Sequence, residues 1–136
     1  GVAADTGRGL IVPVIHEADR KSIIKLAAEI EDKANRAREG TLTVDELQGG
    51  TFTITNIGPL GSTVLIPAIN YPEVAILGMG KMQEKPVVRD GEIVIRKILP
   101  VTLAFDHRIA DGADAARFMH GITRRLSDPK LLLIEA

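Results

Sequence analysis

The sequence has 136 residues, 45% hydrophobic and 26% charged, which is typical of one folded domain. Its 17 basic and 18 acidic residues give a net charge of −1, which argues against a protein that mainly binds nucleic acid or an anionic membrane. It contains no cysteine, which excludes a disulfide scaffold, a thiol nucleophile and a zinc site with sulfur ligands. No apolar run approaches the ~20 residues of a membrane span and no signal peptide is visible, so we expect a soluble protein in a reducing compartment.

The first half of the chain predicts a short strand, a long helix and a helical turn. Residues 5–9 form a predicted turn, and residues 10–15 an apolar strand interrupted by a proline. A helix follows Asp19, which we expect to be its N-cap, and Gly40 supplies the stop. Its apolar positions recur at helical spacing, and we expect the charged positions between them, Lys33 included, to face solvent. Residues 43–46 have a capping-box pattern, which predicts a short helical turn.

The second half predicts mainly strands, followed by a helix. β-Branched residues alternate over residues 51–55, and a glycine- and proline-containing loop follows. A buried strand is predicted over residues 74–77, and Asp90-Gly91 indicates a two-residue hairpin between the next two strands. A last strand over residues 99–105 leads to a helix that begins near Asp111, with an apolar stripe that should face the core. The mixture of helices and hairpin strands predicts an α+β fold.

Residues 105–112 are the candidate site, because a strand end, a polar loop and a helix start occur within eight positions. An unperturbed imidazole titrates near pH ~6.5, so a histidine at position 107 could accept and return a proton. Asp111 can cap the helix, and Gly112 permits a close backbone approach or an unusual dihedral angle. A histidine beside an N-cap is often only a loop residue, so this pattern leaves both interpretations open. The three histidines are far apart and no HExxH motif is present, so a metal enzyme is not favoured.

The sequence His-Arg-Ile-Ala-Asp-Gly, which begins at His107, matches the HxxxDG motif of dihydrolipoamide acyltransferases. These enzymes form the cores of 2-oxo acid dehydrogenase complexes. Blocks at residues 5–15, 50–58, 69–77 and 127–132 resemble the same family in the same order. The resemblance implies a chloramphenicol acetyltransferase-like fold, a two-layer α/β sandwich in which helices pack on a mixed sheet. It also implies that residues 1–136 are the C-terminal, larger part of the catalytic domain, and that its N-terminal part and the lipoyl and peripheral-subunit-binding modules are absent from the sequence.

The resemblance further implies acyl transfer between a lipoyl thioester and coenzyme A, with His107 as general base. Thr55 stands where the family usually has serine and would donate a hydrogen bond to the oxyanion, although the bare sequence favours an ordinary strand residue. Asp111 would order the loop without accepting the proton, and Asn56, Gly58 and Gly112 would contact substrate. Coenzyme A would be a substrate, the lipoyl group would belong to a separate module, and no metal is implied.

In the family, catalytic domains form homotrimers with interfacial active sites, and trimers assemble into cubic cores that bind the dehydrogenase and dihydrolipoamide dehydrogenase components. The apolar tail at residues 131–134 would join trimers, or it folds back onto its own subunit. The resemblance implies a cytoplasmic protein in a bacterium or archaeon, or a matrix protein in mitochondria. A non-catalytic scaffold paralogue and an acetyltransferase acting on a small hydroxyl substrate remain alternatives. The motifs are shared by acetyl, branched-chain and succinyl enzymes, of which the first two are favoured.

Overall fold

The computed structural model describes residues 1–134, apart from the side chain of Leu133. The chain forms two compact units, Gly1–Ala104 and Phe105–Ala136. The strands, in chain order, are β1 (Ala4–Thr6), β2 (Gly9–Ile11), β3 (Thr53–Asn56), β4 (Ala75–Met79), β5 (Gln83–Arg89), β6 (Glu92–Ile98) and β7 (Val101–Phe105). The helices are α1 (Ile23–Glu39), α2 (Gly112–Ser127) and α3 (Lys130–Ile134), with short 3₁₀ turns at Ala18–Arg20, Asp45–Leu47 and Gly58–Leu60.

Parallel and antiparallel strand pairings both occur in the structure. Three strands form a sheet in the order β3-β4-β7, in which β3 and β4 are parallel. β1 pairs with β2 and β5 pairs with β6, both antiparallel. The turn between β5 and β6 places Asp90 at φ 52° and Gly91 at φ 83°, which is the left-handed geometry of the predicted hairpin.

The strand β3 is held on both edges, which fixes the segment that carries Thr55. On one side it pairs with β4, with Thr53 opposite Ile76 and Thr55 opposite Gly78. On the other side Ile54 donates its backbone N–H to Gly1 O at 2.8 Å and accepts from Ala3 N at 2.9 Å. β3 is therefore paired along its whole length on one edge and held at Ile54 on the other.

Helix α1 begins later than the sequence predicted. Its N-cap is Ser22, whose side chain accepts a hydrogen bond from Lys25 N, whereas Asp19 lies in the preceding 3₁₀ turn. The predicted stop is confirmed, because Gly40 adopts φ 73° at the C-cap. The expectation for Asp19 was wrong because two good capping residues lie within four positions, and only one can meet the first free N–H groups.

The expectation that Lys33 faces solvent was also wrong. Its side chain is buried, and its ammonium group donates to Glu46 at 3.1 Å. Arg36 contacts both oxygens of the same carboxylate, at 2.6 and 2.7 Å. These hydrogen bonds, those from Arg36 first, hold the pKa of Glu46 well below its usual range. The partner carboxylate belongs to the next helical turn along the chain, so helical spacing within α1 could not reveal it.

The second unit contains a polar loop followed by α2 and α3. Helix α2 has the predicted N-cap, Asp111, and the predicted apolar stripe. That stripe is only partly covered, since Phe118 is 46% exposed and Leu126 is 55% exposed. Helical periodicity shows which side of a helix is apolar but not what packs against it, so the core position predicted for these two residues was wrong.

Candidate active site

The end of β3 presents a hydroxyl group that is not engaged elsewhere. Thr55 is half-buried, and among residues 1–134 its hydroxyl has no hydrogen-bond partner. Its neighbour on β4 is Gly78, where an added Cβ would approach Thr102 Oγ1 and Leu65 Cγ to 2.8 Å. The close packing therefore favours a glycine opposite Thr55. Because the Thr55 hydroxyl has no partner among the described residues, it is available as a hydrogen-bond donor.

The loop after β3 is shaped by Asn56 and Gly58. The Asn56 Oδ1 atom accepts a hydrogen bond from Gly58 N at 3.0 Å, which forms a tight Asx-type turn. A Cβ at Gly58 would lie 2.6 Å from the backbone oxygen of Gly80. Asn56 also lines a cavity of about 400 Å³ whose other lining residues include Leu60 and Arg38.

The second candidate group lies in the loop before α2. His107 is exposed, and its ring lies 5.5 Å from that of Phe105 at an angle of 36°. Within the described part of the chain neither ring nitrogen of His107 has a hydrogen-bond partner. Both nitrogens are therefore free to meet a ligand.

An ion pair that the sequence reading missed flanks His107 on both sides. The Asp106 carboxylate accepts from Arg108 Nε at 2.9 and 3.1 Å, from Nη2 at 2.6 Å and from the backbone N–H at 3.0 Å. The Asp106 carbonyl accepts from Ile109 N and Ala110 N. The Arg108 guanidinium lowers the pKa of Asp106 to about 2. The sequence did contain a signal for this ion pair, because residues of opposite charge, Asp106 and Arg108, stand on either side of His107.

Asp111 closes this loop through a capping box. Its carboxylate accepts from Ala113 N at 2.8 Å and Asp114 N at 2.9 Å, while Asp111 N donates to the Asp114 side chain at 3.3 Å. The carboxylate is therefore directed at the start of α2, which fits the predicted ordering role. Gly112 begins α2 outside the left-handed region, and a Cβ there would meet nothing within 4 Å. Neither backbone role expected for this glycine is present in the described chain.

The predicted residues thus fall into two groups. Thr55, Asn56 and Gly58 lie together in the first unit, whereas the HxxxDG residues, from His107 to Gly112, lie together in the second. Residues 1–134 contain no group of three or more His, Asp and Glu side chains able to hold a metal ion. None of the described helices is both long enough and apolar enough to cross a membrane.

Residues 1–134 match the family described as 2-oxoacid dehydrogenases acyltransferase (catalytic domain). The chain belongs to this family. It is 53% identical over 135 residues to the dihydrolipoyllysine-residue acetyltransferase component of the pyruvate dehydrogenase complex of Staphylococcus aureus. That alignment covers 99% of this chain and 31% of the relative, so the chain spans about a third of the relative's length.

Solved structures of this family share the fold. The structure of dihydrolipoamide acetyltransferase from Azotobacter vinelandii superposes with a TM-score of 0.93 at 46% identity, covering 98% of this chain and 55% of that chain. The cubic core of a pyruvate dehydrogenase multienzyme complex superposes with a TM-score of 0.93 at 45% identity, with the same two coverages. The predicted α+β class is thereby confirmed, with the fold of the solved catalytic cores of this family.

Proposed function

We propose that this chain belongs to an enzyme that transfers an acyl group between a lipoyl thioester and coenzyme A. The observation that carries the proposal is the 53% identity, over 99% of the chain, to an acetyltransferase component of a pyruvate dehydrogenase complex. The same similarity favours acetyl as the acyl group. The lipoyl group is a substrate carried on another module, and coenzyme A is the second substrate.

The catalytic residues are supported by their spacing. The Azotobacter vinelandii structure was determined to study a serine, a histidine and an asparagine in the catalytic mechanism of that enzyme. The serine and histidine stand fifty-two positions apart and the asparagine follows four positions later, as Thr55, His107 and Asp111 do here. Thr55 offers a hydroxyl donor at the spacing of that serine, and Asp111 caps α2 at the spacing of that asparagine, with asparagine and aspartate being equally good N-caps.

The reaction follows from thioester chemistry. His107 accepts the proton of the coenzyme A thiol, because the thiolate is the reactive nucleophile. The thiolate sulfur forms a bond to the acetyl carbonyl of S-acetyldihydrolipoamide, which gives a tetrahedral oxyanion. The Thr55 hydroxyl donates a hydrogen bond to that oxygen. The intermediate then collapses, the bond to the lipoyl sulfur breaks, and His107 returns the proton to the departing thiolate.

The described geometry supports this division of roles. The hydroxyl of Thr55 and the imidazole of His107 are both free of hydrogen-bond partners among residues 1–134, as groups that engage a substrate must be. The carboxylate of Asp111 is instead occupied by backbone N–H groups. We assign it the role of ordering the loop. Asn56 lines a cavity of about 400 Å³, and we assign that cavity to substrate binding.

The test is an acyl-transfer assay with the complete catalytic domain. Acetyl, isobutyryl and succinyl coenzyme A are supplied in parallel with dihydrolipoamide as acceptor. We expect acetyl coenzyme A to give the highest kcat/KM. Preference for another acyl donor would correct the acyl group, and no transfer from any of the three would favour a scaffold paralogue. Transfer to a small hydroxyl compound but not to dihydrolipoamide would favour the other acetyltransferase class.

We also propose that the domain forms a homotrimer and that trimers assemble into a cubic core, which binds the dehydrogenase and dihydrolipoamide dehydrogenase components. The similarity to a cubic core structure supports this assembly. The apolar tail forms α3, and Ile134 is 78% exposed. Deleting residues 131–136 should leave trimers and prevent larger particles, as measured by sedimentation velocity. Intact large cores after the deletion would contradict a role of the tail in assembly.

A further inference from the structure

A buried polar cluster lies beside β3 and has no role in the reaction described above. Thr53 is fully buried, and its hydroxyl donates to Glu73 Oε2 at 2.6 Å. The Asn70 amide donates to Glu73 Oε1 at 3.2 Å and to the Thr53 hydroxyl at 3.4 Å. Glu73 itself is only 9% exposed, and the nearby positive charge is the amino group of Gly1, whose pKa Glu73 acts to raise against the larger effect of burial. A carboxylate buried to this degree is costly unless it is hydrogen-bonded, so the cluster calls for a specific explanation.

The backbone around this cluster leaves space for it. A Cβ at Gly50 would lie 2.6 Å from Glu73 Oε1, and a Cβ at Gly1 would lie 2.6 Å from Thr53 Oγ1. Any larger residue at either position would collide with the hydrogen-bonded pair. The side chains of Thr53 and Glu73 therefore occupy a fitted site, and their contact is not an incidental surface interaction.

The cluster joins the strand that carries Thr55 to the loop that enters its parallel partner. Thr53 and Thr55 are two positions apart on β3, so their side chains project from the same face. Asn70 and Glu73 precede β4, whose residues Ile76 and Gly78 lie opposite these two threonines. A hydrogen bond from Thr53 to Glu73 thus ties the start of β3 to the start of β4 and opposes any slip between the two strands.

We propose that Glu73, acting through Thr53, is a positioning residue for the hydroxyl of Thr55. Of the two hydroxyls on this face, that of Thr53 is committed to Glu73 and that of Thr55 is free. The Thr53 hydroxyl, through its bond to Glu73, holds the strand in place, so the Thr55 hydroxyl keeps a fixed distance from the reacting carbonyl oxygen. This role rests on the proposed oxyanion function of Thr55.

The test is a double-mutant cycle in the complete catalytic domain, read out as kcat and KM for acetyl transfer. Thr53→Val keeps the side-chain shape and removes the hydroxyl, and we expect it to lower kcat about tenfold with KM for coenzyme A nearly unchanged. Thr53→Ser keeps the hydroxyl and should retain most of the wild-type kcat. In a Thr55→Ala background Thr53→Val should cost less than about twofold, since the group being positioned is gone.

Thr102→Val is the matched control, because the Thr102 hydroxyl donates to Leu65 O at 2.6 Å from a half-buried site on another strand. It should lower thermal stability without lowering kcat. Glu73→Gln replaces the carboxylate by a weaker, neutral acceptor for the Thr53 hydroxyl. If Thr53→Val fails to fold, the same cycle is run with Glu73→Gln, for which we expect a smaller loss in kcat of about threefold. Equal losses with and without the Thr55 hydroxyl would overturn the positioning role and leave the proposed function intact. Full activity of Thr55→Ala alone would overturn both.

Discussion

Two regions of the molecule present a functional side chain, and they hold it by different means. At β3, Thr55 is held by pairing with Gly78, by the backbone hydrogen bonds of its neighbour Ile54 on the other edge, and by a buried contact between Thr53 and Glu73, twenty positions apart. In the loop before α2, His107 is held by contacts that span two or three positions, from Asp106 to Arg108 and from Asp111 to the first turn of the helix.

The difference indicates how each region should respond to mutation. Local contacts around His107 are exposed, and exposed ion pairs and single caps contribute modestly to stability. The buried contact at β3 cannot readily exchange its partner for water, so its loss leaves Glu73 Oε2 without its donor, while Asn70 still donates to Oε1. We expect the loop to tolerate substitutions around the histidine better than β3 tolerates substitutions around Thr53.

The largest expected effect concerns the exposed region. His107→Ala should lower turnover by ~10²–10⁴, the usual range for loss of a general base, with trimer assembly unchanged. Acetyl transfer and sedimentation are measured on the same preparation. Near-normal turnover in a correctly assembled variant would remove His107 from the mechanism.

The next effect links the two regions. Thr55→Ala should lower turnover by roughly 10²–10³, as loss of one oxyanion donor does. We further predict that Thr55 and His107 of one active site come from different subunits. Unfolding and co-refolding the Thr55→Ala and His107→Ala domains would then give mixed trimers in which one site has both groups intact.

These mixed trimers should regain a substantial fraction of wild-type activity. Each variant refolded alone is the control, and both should keep only their reduced turnover. If the mixture shows only the average of the two single variants, the two residues belong to one subunit and the interfacial assignment is wrong.

A smaller effect is expected at the helix cap. Asp111→Ala removes the acceptor for two backbone N–H groups and should cost about 1 kcal/mol of stability, a decrease of about 2–4 °C in Tm for a domain of this family. Asp111→Asn is the matched control, because asparagine caps equally well and should keep both Tm and turnover near wild type. A large loss of turnover in Asp111→Asn would show that the charge, and not the cap, is required.

The smallest expected effect concerns the pKa of Asp106 in the loop before α2. Arg108 lowers the pKa of Asp106 from 3.8 to about 2, so the pair stabilises the fold fully above pH ~4, and this contribution is lost as pH falls through about 2. The carboxyl resonance of Asp106, followed by NMR, should have its midpoint near 2, and Arg108→Gln should return it toward 3.8. A midpoint near 3.8 in the unmodified protein would show that the pair does not form in solution.

The same division between local and distant contacts explains what the sequence could predict. Gly40, Asp90-Gly91 and Asp111 act within a few residues of themselves, and each was predicted correctly. The burial of Lys33 was not predicted, because it depends on Glu46, thirteen positions away in a different element. The ordered blocks of residues predicted the family and the fold, whereas the contact between Thr53 and Glu73 could be recognised only in the structure.

The close approach of Gly50 to Glu73 constrains how this family of sequences can vary. With only 2.6 Å between a Cβ at position 50 and a carboxylate oxygen, the two sites cannot change independently. Alanine at position 50 should force the Glu73 carboxylate to shift and should weaken its hydrogen bond from Thr53. The glycine that opens the block at residues 50–58 thus leaves the space that a side chain twenty-three positions later occupies.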